Sequence, residues 1–186
     1  MFRVSDDLPV VKFDDAQAVP IFPRPELKCA VLVVTPRAQD GSELPTVIWA
    51  EWGQPQMFLG DFYLIIRGGV GVYGSAKLQW KNMHTQISSD KWVKTAVPIA
   101  YQTTRRCTVV TLIIDEDNSL REAKTVVESG DWVVKQPGGE IQHIRAAKFP
   151  KIYFLANEAT ELGLVDMSQA DFAEWAVAQA RAVHTA

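Results

Sequence analysis

The chain has little cysteine and histidine: its 186 residues include two cysteines, Cys29 and Cys107, and three histidines. None of the histidines has a metal-ligand spacing to either cysteine, so the sequence predicts no zinc site (His84, His143, His184). We interpret the cysteines as small buried side chains, because a disulfide is unusual in a reducing compartment. We interpret the histidines as structural or surface residues, and we expect no metal and no cofactor.

Long hydrophobic runs are also missing. Although 47% of the residues are hydrophobic and 22% are charged, no apolar run approaches the roughly 18–20 residues of a membrane span. The first fifteen residues, MFRVSDDLPVVKFDD, are acidic and have no apolar centre, unlike a secretory signal. We therefore expect a cytoplasmic protein without a membrane partner. Its length is sufficient for one domain or two small ones.

The chain has no excess of positive charge. Its net charge of −3 argues against general nucleic-acid binding and against a DNA partner. Residues 91–155 nevertheless carry ten Lys and Arg against seven Asp and Glu, a local charge of +3. Arg105 and Arg106 are adjacent within this segment, either as a solvated strand end or as a surface for an anion or RNA.

What the chain does have is an internal repetition. The segment AVPIFPRPELKCAVLVV (18–34) matches AVPIAYQTTRRCTVVTL (96–112) at an offset of 78. Further on, two dipeptides recur in the same order at an offset of 70: Gly60-Asp61 matches Gly130-Asp131, and Gly68-Gly69 matches Gly138-Gly139. The segment SAKL (75–78) then matches AAKF (146–149) at an offset of 71. The fixed spacing indicates a tandem duplication in which residues 18–84 and 96–155 superpose.

Each copy contains several β-branched apolar runs, such as KCAVLVVT and RCTVVTLII, which are typical of strands buried on both faces. We therefore predict an α+β protein that is mainly β, formed by a duplicated small antiparallel or mixed β unit with a C-terminal amphipathic helix on a sheet. The predicted segments are a first repeat (13–90), a second repeat (91–155) and a C-terminal helical segment (156–186), together in one compact body.

The repeated Gly-Asp and Gly-Gly dipeptides predict turns. Glycine permits a positive φ, and an aspartate carboxylate can accept hydrogen bonds from nearby backbone N–H groups. Gly-Gly between two strands is a hairpin signal, since a type I′ turn needs a positive φ at both central residues. We expect each copy to be a meander whose two turns are Gly-Asp and Gly-Gly, and we interpret Asp61 and Asp131 as structural.

The last twenty residues, MSQADFAEWAVAQARAVHTA, predict a helix. Ser168 suits the N-cap position, Asp171 stands three residues later, and Met167 with Phe172 form a hydrophobic staple. Apolar and small residues recur on one face, which indicates that the helix packs on a sheet (Phe172, Trp175, Ala176, Gln179, Ala180, Val183). The alternative is a helix exposed at an interface with a partner.

The second copy, AKTVVESGDWVVKQPGGEIQHIRAAKFPKIY (123–153), resembles the PGDYG family, small domains of bacterial and phage proteins. The resemblance is carried by a Gly-Asp turn, a short strand and a spaced aromatic tail (Gly130, Asp131, Trp132, Gly139, Glu140, Phe149, Tyr153). The sequence departs from the motif where Ser129 replaces proline and Trp132 replaces tyrosine. The resemblance implies a small domain in which a Gly-Asp turn is followed by a short strand, and it carries no settled activity.

Few patterns indicate chemistry. Asp61 and Asp131 hold equivalent positions and would suit a carboxylate pair if the copies brought them together, but no nucleophile or metalloprotease motif accompanies them. The aromatic residues suggest a binding face. Trp49 and Glu51 lie on one face of an alternating strand and Trp52 lies on the other, and we expect Trp52 or Trp80 to be half-exposed.

Two hypotheses for function follow. The first is a non-enzymatic interaction protein of phage or mobile-element type that binds a protein partner, or itself, through a duplicated β surface. The alternative is a small-ligand, nucleotide or RNA-binding module with a site between the repeats, near Arg105 and Arg106. An enzyme ranks third.

Overall fold

The computed structural model describes residues 8–51, 53–114 and 120–184. The protein is mainly β, with 40% strand and 21% helix, as the sequence predicts. The strands are β1 (Val10–Val11), β2 (Val19–Pro20), β3 (Leu27–Val33), β4 (Thr46–Trp49), β5 (Pro55–Phe58), β6 (Phe62–Arg67), β7 (Val70–Ala76), β8 (His84–Gln86), β9 (Lys91–Lys94), β10 (Ile99–Gln102), β11 (Cys107–Ile114), β12 (Leu120–Val127), β13 (Trp132–Lys135) and β14 (Ile141–Ile144). The helices are α1 (Lys77–Met83), α2 (Phe149–Ile152), α3 (Ala156–Glu161) and α4 (Gln169–His184), and a 3-10 turn spans Leu164–Asp166.

The chain forms two compact units that interleave along the sequence. One, the Asp131 unit, combines the described residues up to Arg24 with 97–113 and 120–166. The other, the Asp61 unit, combines 25–96 with the C-terminal segment from Met167 onward. The units therefore differ in their boundaries from the predicted segments, because the N-terminal strands join the second copy and the C-terminal helix joins the first.

The Asp131 unit is built on one sheet with the strand order β1-β11-β14-β13-β10-β2, and β12 pairs with β11. Buried side chains form a cluster on α2, where the Trp132 ring stacks on Phe149 at a centroid distance of 3.9 Å. A second cluster of buried side chains includes Tyr101, Cys107 and Val133. Cys107 is buried, as the sequence predicts, and burial raises the pKa of its thiol.

The two Ala-Val-Pro-Ile segments lie side by side in the Asp131 unit. In the antiparallel pairing of β2 with β10, Pro20 is opposite Ile99, and the Ile21 N–H donates to the Pro98 carbonyl at 2.9 Å. Under the offset of 78, Pro20 corresponds to Pro98 and Ile21 corresponds to Ile99. Each segment therefore pairs with the other through equivalent residues, about a local twofold axis. This pairing does not test whether the whole copies superpose, so the tandem duplication stays a prediction.

The Asp61 unit contains a sheet of strand order β7-β6-β3-β9-β8 and a separate two-stranded ribbon, β4-β5. Its core is aromatic, because Tyr63, Trp80 and Trp92 pack together with ring centroids 4.9–6.1 Å apart. The prediction that the KCAVLVVT strand is buried on both faces was wrong, since Leu32 is 42% exposed and Val34 is 70% exposed.

Helix α4 begins as its sequence predicts. Ser168 Oγ accepts the Asp171 N–H at 3.1 Å, and the Asp171 carboxylate accepts the Ser168 N–H at 3.3 Å, a reciprocal capping arrangement. The helix packs against β9. Its buried face is narrower than predicted: Phe172, Ala176 and Ala180 are buried, whereas Trp175 is partly buried and Val183 is exposed.

The turns correct the predicted meander. The Gly-Asp turns do not join hydrogen-bonded neighbours: β5 belongs to the ribbon and β6 to the larger sheet, and β12 pairs with β11 while β13 lies between β10 and β14. A Gly-Asp turn therefore carries the chain between non-adjacent strands. Its geometry suits that change of direction, since Gly130 has a φ of 91° and a positive φ favours glycine.

The Gly-Gly hairpins differ from each other. Gly68 and Gly69 have φ values of 58° and 80° between the paired residues Arg67 and Val70, as a type I′ turn requires. In the other hairpin a three-residue loop, 137–139, separates Gln136 from Glu140, and Gly139 has a φ of 89°. The positive φ at the end of that longer loop is typical of a glycine bulge rather than of the predicted type I′ turn at Gly138-Gly139.

Candidate functional site: an apolar ribbon face

The β4-β5 ribbon has two distinct faces. Directly opposite residues of an antiparallel pair share a face, and the register places Val47 opposite Met57 and Ile48 opposite Gln56. Along each strand the exposed residues alternate with less exposed ones. One face is therefore directed inward, with Ile48, Gln56 and Phe58, and the other is directed outward.

The inward face is fixed on β7 at Gly74. The Gln56 side-chain amide accepts the Gly74 N–H at 2.8 Å and donates to the Gly74 carbonyl at 3.3 Å, as a neighbouring strand would. A Cβ at position 74 would lie 2.5 Å from Phe58 Cζ and 3.1 Å from Ile48 Cδ1, so only glycine permits this approach. The ribbon is thus held in place by hydrogen bonds and by close packing.

The outward face is apolar and exposed. Its large side chains have exposed fractions of 48–72%, and Pro45 and Pro55 beside them are exposed as well (Val47, Trp49, Met57, Leu59). Exposed apolar residues are common singly, but a contiguous group marks a site of interaction. We use the name outward face for these six residues: Pro45, Val47, Trp49, Pro55, Met57 and Leu59.

Ion pairs lie at both ends of β4. Before the strand, Glu43 pairs with Arg37 at 3.6 Å, and after it Glu51 pairs with Arg67 at 2.8 Å. All four side chains are exposed, with exposed fractions of 41–68%. An apolar centre with a charged, solvated border is the usual composition of a protein–protein interface.

Of the two tryptophans chosen from the sequence as binding residues, the structure places only Trp80, and Trp80 does not belong to this site. Trp80 is 1% exposed and stacks on His84 at a centroid distance of 3.7 Å, so its prediction as a half-exposed residue was wrong. Trp52 lies outside the described residues. Among the tryptophans that the structure describes, the exposed one is Trp49, at 72%. The signal for it was Glu51, because a charged residue two positions along a strand marks the solvent-facing side.

His84 belongs to the core of the Asp61 unit. Its Nδ1 lies 3.1 Å from the Trp80 carbonyl oxygen. Burial, reinforced by the positive charges of Lys28 and Lys94, lowers the pKa of His84 to about 2. The ring is therefore neutral, and its role is structural. Among the described residues, the ring nitrogens Trp80 Nε1, His84 Nε2 and Trp92 Nε1 have no hydrogen-bond partner.

Arg105 and Arg106 are exposed, on the loop between β10 and β11. Arg106 pairs with Glu128 at 3.1 Å. The loop is attached to the second Gly-Asp turn, since the Thr103 N–H donates to the Asp131 carbonyl at 2.8 Å and the Gly130 N–H donates to the Thr103 carbonyl at 2.7 Å. The structure thus brings the two arginines close to the Asp131 turn.

Asp131 is the best-anchored carboxylate of that turn. It accepts the Ala146 N–H at 2.9 Å, the Glu128 N–H at 3.2 Å and the His143 Nε2 proton at 2.7 Å. Burial raises the pKa of Asp131, but these three donors outweigh it and hold the pKa below its ordinary value. A carboxylate saturated by local donors in this way acts as a structural tie between strands and loops.

Asp61 is anchored more weakly. Its carboxylate accepts a hydrogen bond from Lys77 at 3.0 Å, and the Thr35 N–H lies 3.4 Å away. The Lys77 ammonium lowers the pKa of Asp61 against the opposing effect of burial. The two aspartates lie in separate units, and each is bound by groups of its own unit. This agrees with a structural role for each aspartate in its own turn.

The described residues contain neither a candidate metal site nor a candidate membrane-spanning helix. Among residues 8–51, 53–114 and 120–184, no group of three or more His, Cys, Asp or Glu side chains could hold a metal ion. Within the same ranges, no helix is long and apolar enough to cross a membrane. Cys29 is partly buried, and its thiol donates to the Asp90 carboxylate at 3.2 Å.

Comparison with known proteins gave no match: no family model, no curated protein and no solved structure matches the chain. The resemblance of residues 123–153 to the PGDYG family therefore stays a prediction.

Proposed function

We propose that this protein is a non-enzymatic interaction protein that binds a protein partner through the outward face of the β4-β5 ribbon. The observation that carries the proposal is the contiguous exposed apolar surface on a ribbon that is fixed from behind. Burying such a surface contributes roughly 25 cal/mol per Å², so a partner with complementary apolar side chains would be stabilised there.

Trp49 is expected to dominate the contact. Tryptophan is enriched among the few residues that dominate binding energies. Trp49 is the most exposed large side chain of the outward face, and it lies beside Val47 and directly opposite Pro55. The Glu51–Arg67 pair next to it would lie at the border, where charges determine orientation more than affinity.

Site-specific photo-crosslinking tests the proposal. A benzoylphenylalanine is introduced in place of Met57, and in a matched control in place of Val183, which is 80% exposed on α4. The proteins are produced and irradiated in cells of the source organism. We expect a discrete cross-linked product from position 57 and not from 183.

The mass of the product identifies the partner. A product of two chains means that the partner is a second copy, and any other mass leads to a different protein by mass spectrometry. Absence of a product from position 57, or equal products from both positions, would contradict the proposal.

A further inference from the structure

A second surface of the protein is formed by three loops at one end of the Asp131 sheet. They follow β10 (103–106), β12 (128–131) and β14 (145–148). The first loop is joined to the second because the Thr103 N–H donates to the Asp131 carbonyl at 2.8 Å. The third loop is also joined to the second, because the Ala146 N–H donates to the Asp131 carboxylate at 2.9 Å. All three loops therefore meet at one residue.

The acidic groups of these loops already have partners within the fold. The Glu128 carboxylate pairs with Arg106 at 3.1 Å, and the buried Asp131 carboxylate is bound by His143 and backbone N–H groups. Three further cations are exposed, and within the described part of the chain none of them has an ion-pair partner (Arg105, Arg145, Lys148). The surface therefore presents positive charge to solvent.

An aromatic side chain adjoins these loops. Trp132 directly follows Asp131 and is partly exposed, while its ring stacks on Phe149. In the sheet register its neighbour is Gln102, which is exposed. Proteins that bind single strands combine cations that contact phosphates with aromatic rings on which bases stack.

We propose that this loop surface binds the phosphate backbone of a single-stranded nucleic acid. The net charge of −3 is an average over the chain, whereas binding depends on the local charge of the surface that faces the phosphates. Three unpaired cations on adjoining loops favour an extended polyanion, because a strand offers several phosphates in succession whereas a single small anion offers one. The binding is weak and salt-dependent.

Salt-titrated binding tests this inference with two labelled probes, a 12-nucleotide oligouridylate and a 12-nucleotide oligothymidylate. Fluorescence anisotropy gives the association constant between about 20 and 200 mM salt. Because each neutralised phosphate of a single strand contributes about −0.7 to the slope of log K against log salt, three contacts predict a slope of about −2. Both probes should bind, since both carry the backbone.

Single variants identify the contacts. Arg105→Gln, Arg145→Gln and Lys148→Gln should each make the slope less negative by about 0.7, and the triple variant should lose binding. Lys81→Gln is the matched control, since Lys81 is an exposed cation of the Asp61 unit, and it should leave the slope unchanged. Because all of these side chains are exposed, circular dichroism melting should show unchanged folding.

Three results would overturn the inference. One is no binding of either probe at 20 mM salt. Another is a slope that the three loop variants leave intact, or that Lys81→Gln changes as much as they do. The third is binding to phosphatidylserine vesicles with no binding to either oligonucleotide, which would assign the charge to a lipid surface instead.

Discussion

The strands that lead into the two Gly-Asp turns carry different kinds of side chain at their solvent-exposed positions. On β12, which leads into Gly130-Asp131, the exposed positions carry Glu122 and Lys124. On β5, which leads into Gly60-Asp61, the exposed positions carry proline and Met57, beside Trp49 of β4. Charged residues are the ordinary choice on a solvent-facing strand, so the fold does not require apolar ones there. This difference supports the proposal that the outward face of the ribbon binds a partner.

The turns themselves differ in how firmly they are held. Asp131 is bound by three donors, and Gly130 has a positive φ and is bonded to Thr103. Asp61 has one lysine partner and one long amide contact. The same Gly-Asp dipeptide is therefore held by more hydrogen bonds in the Asp131 unit than in the Asp61 unit.

Removal of the two carboxylates should give the largest difference. Asp131→Ala leaves three donors without their acceptor, each worth about 1 kcal/mol, and should lower the free energy of unfolding by about 3 kcal/mol. Asp61→Ala loses a partly exposed lysine pair and should cost less than about 1 kcal/mol. Urea unfolding of both variants measures this difference. Equal losses would show that the turns are equally anchored.

As pH falls, the loss of stability from His84 should begin before the loss from Asp131. The folded-state pKa of His84 lies far below 6.5, so as pH falls below about 6.5 only the unfolded chain gains a proton there, and stability declines by about 1.4 kcal/mol per pH unit. For Asp131, whose pKa is lowered, the corresponding loss begins only as pH falls through its ordinary value of 3.8.

Urea unfolding between pH 7 and 4.5 measures the first effect. The control is His84→Phe, which retains an aromatic ring to stack on Trp80 and should remove most of the dependence on pH above 4.5. A wild-type stability that is constant over this range would contradict the assignment of a neutral, buried imidazole.

A methyl group on each turn glycine should sharpen the comparison further. Gly130→Ala forces a non-glycine residue to a φ of 91° and should destabilise by roughly 1–3 kcal/mol. At Gly60 the added Cβ would meet only the end of the flexible Glu43 side chain, at 3.3 Å, and the effect should be close to zero. Thermal unfolding of both variants checks this, and a larger loss at position 60 would reverse our interpretation.

The smallest effect on stability should come from the outward face. Val47→Lys gives the ribbon the kind of side chain that β12 carries at Lys124, and should change the free energy of unfolding by less than about 0.5 kcal/mol. Val134→Lys is the contrasting variant, because Val134 is fully buried, and should prevent folding or nearly so. A severe loss from Val47→Lys would mean that the outward face is covered within the fold.

The sequence predicted local features well where a residue type has one strong geometric use. The Ser168–Asp171 cap, the Gly68-Gly69 hairpin and the buried Cys107 follow from short-range chemistry. The pairing of strands was not predictable in this way. Because both Gly-Asp turns lead to strands that are not hydrogen-bonded to the preceding one, local turn chemistry indicated a meander where the tertiary pairing is different.

The candidate site was predicted only in part. From the sequence we expected Trp52 or Trp80 to be half-exposed, although the alternation of Trp49 with Glu51 indicates that Trp49 faces solvent. The sequence did not show what holds the opposite face of the ribbon inward. That face is held at Gly74, whose missing side chain admits Ile48 and Phe58. Trp80 was misassigned because burial in an aromatic core depends on distant residues such as Tyr63.

We propose that the outward face binds a partner without contributing to the fold. The most direct measurement is the cross-linking yield from position 57 in a chain that also carries Trp49→Lys, together with its melting temperature. We predict a yield reduced at least tenfold at an unchanged melting temperature, since Trp49 is 72% exposed and loss of a dominant interface residue costs about 2 kcal/mol or more. An unchanged yield in a folded Trp49→Lys protein would contradict the account.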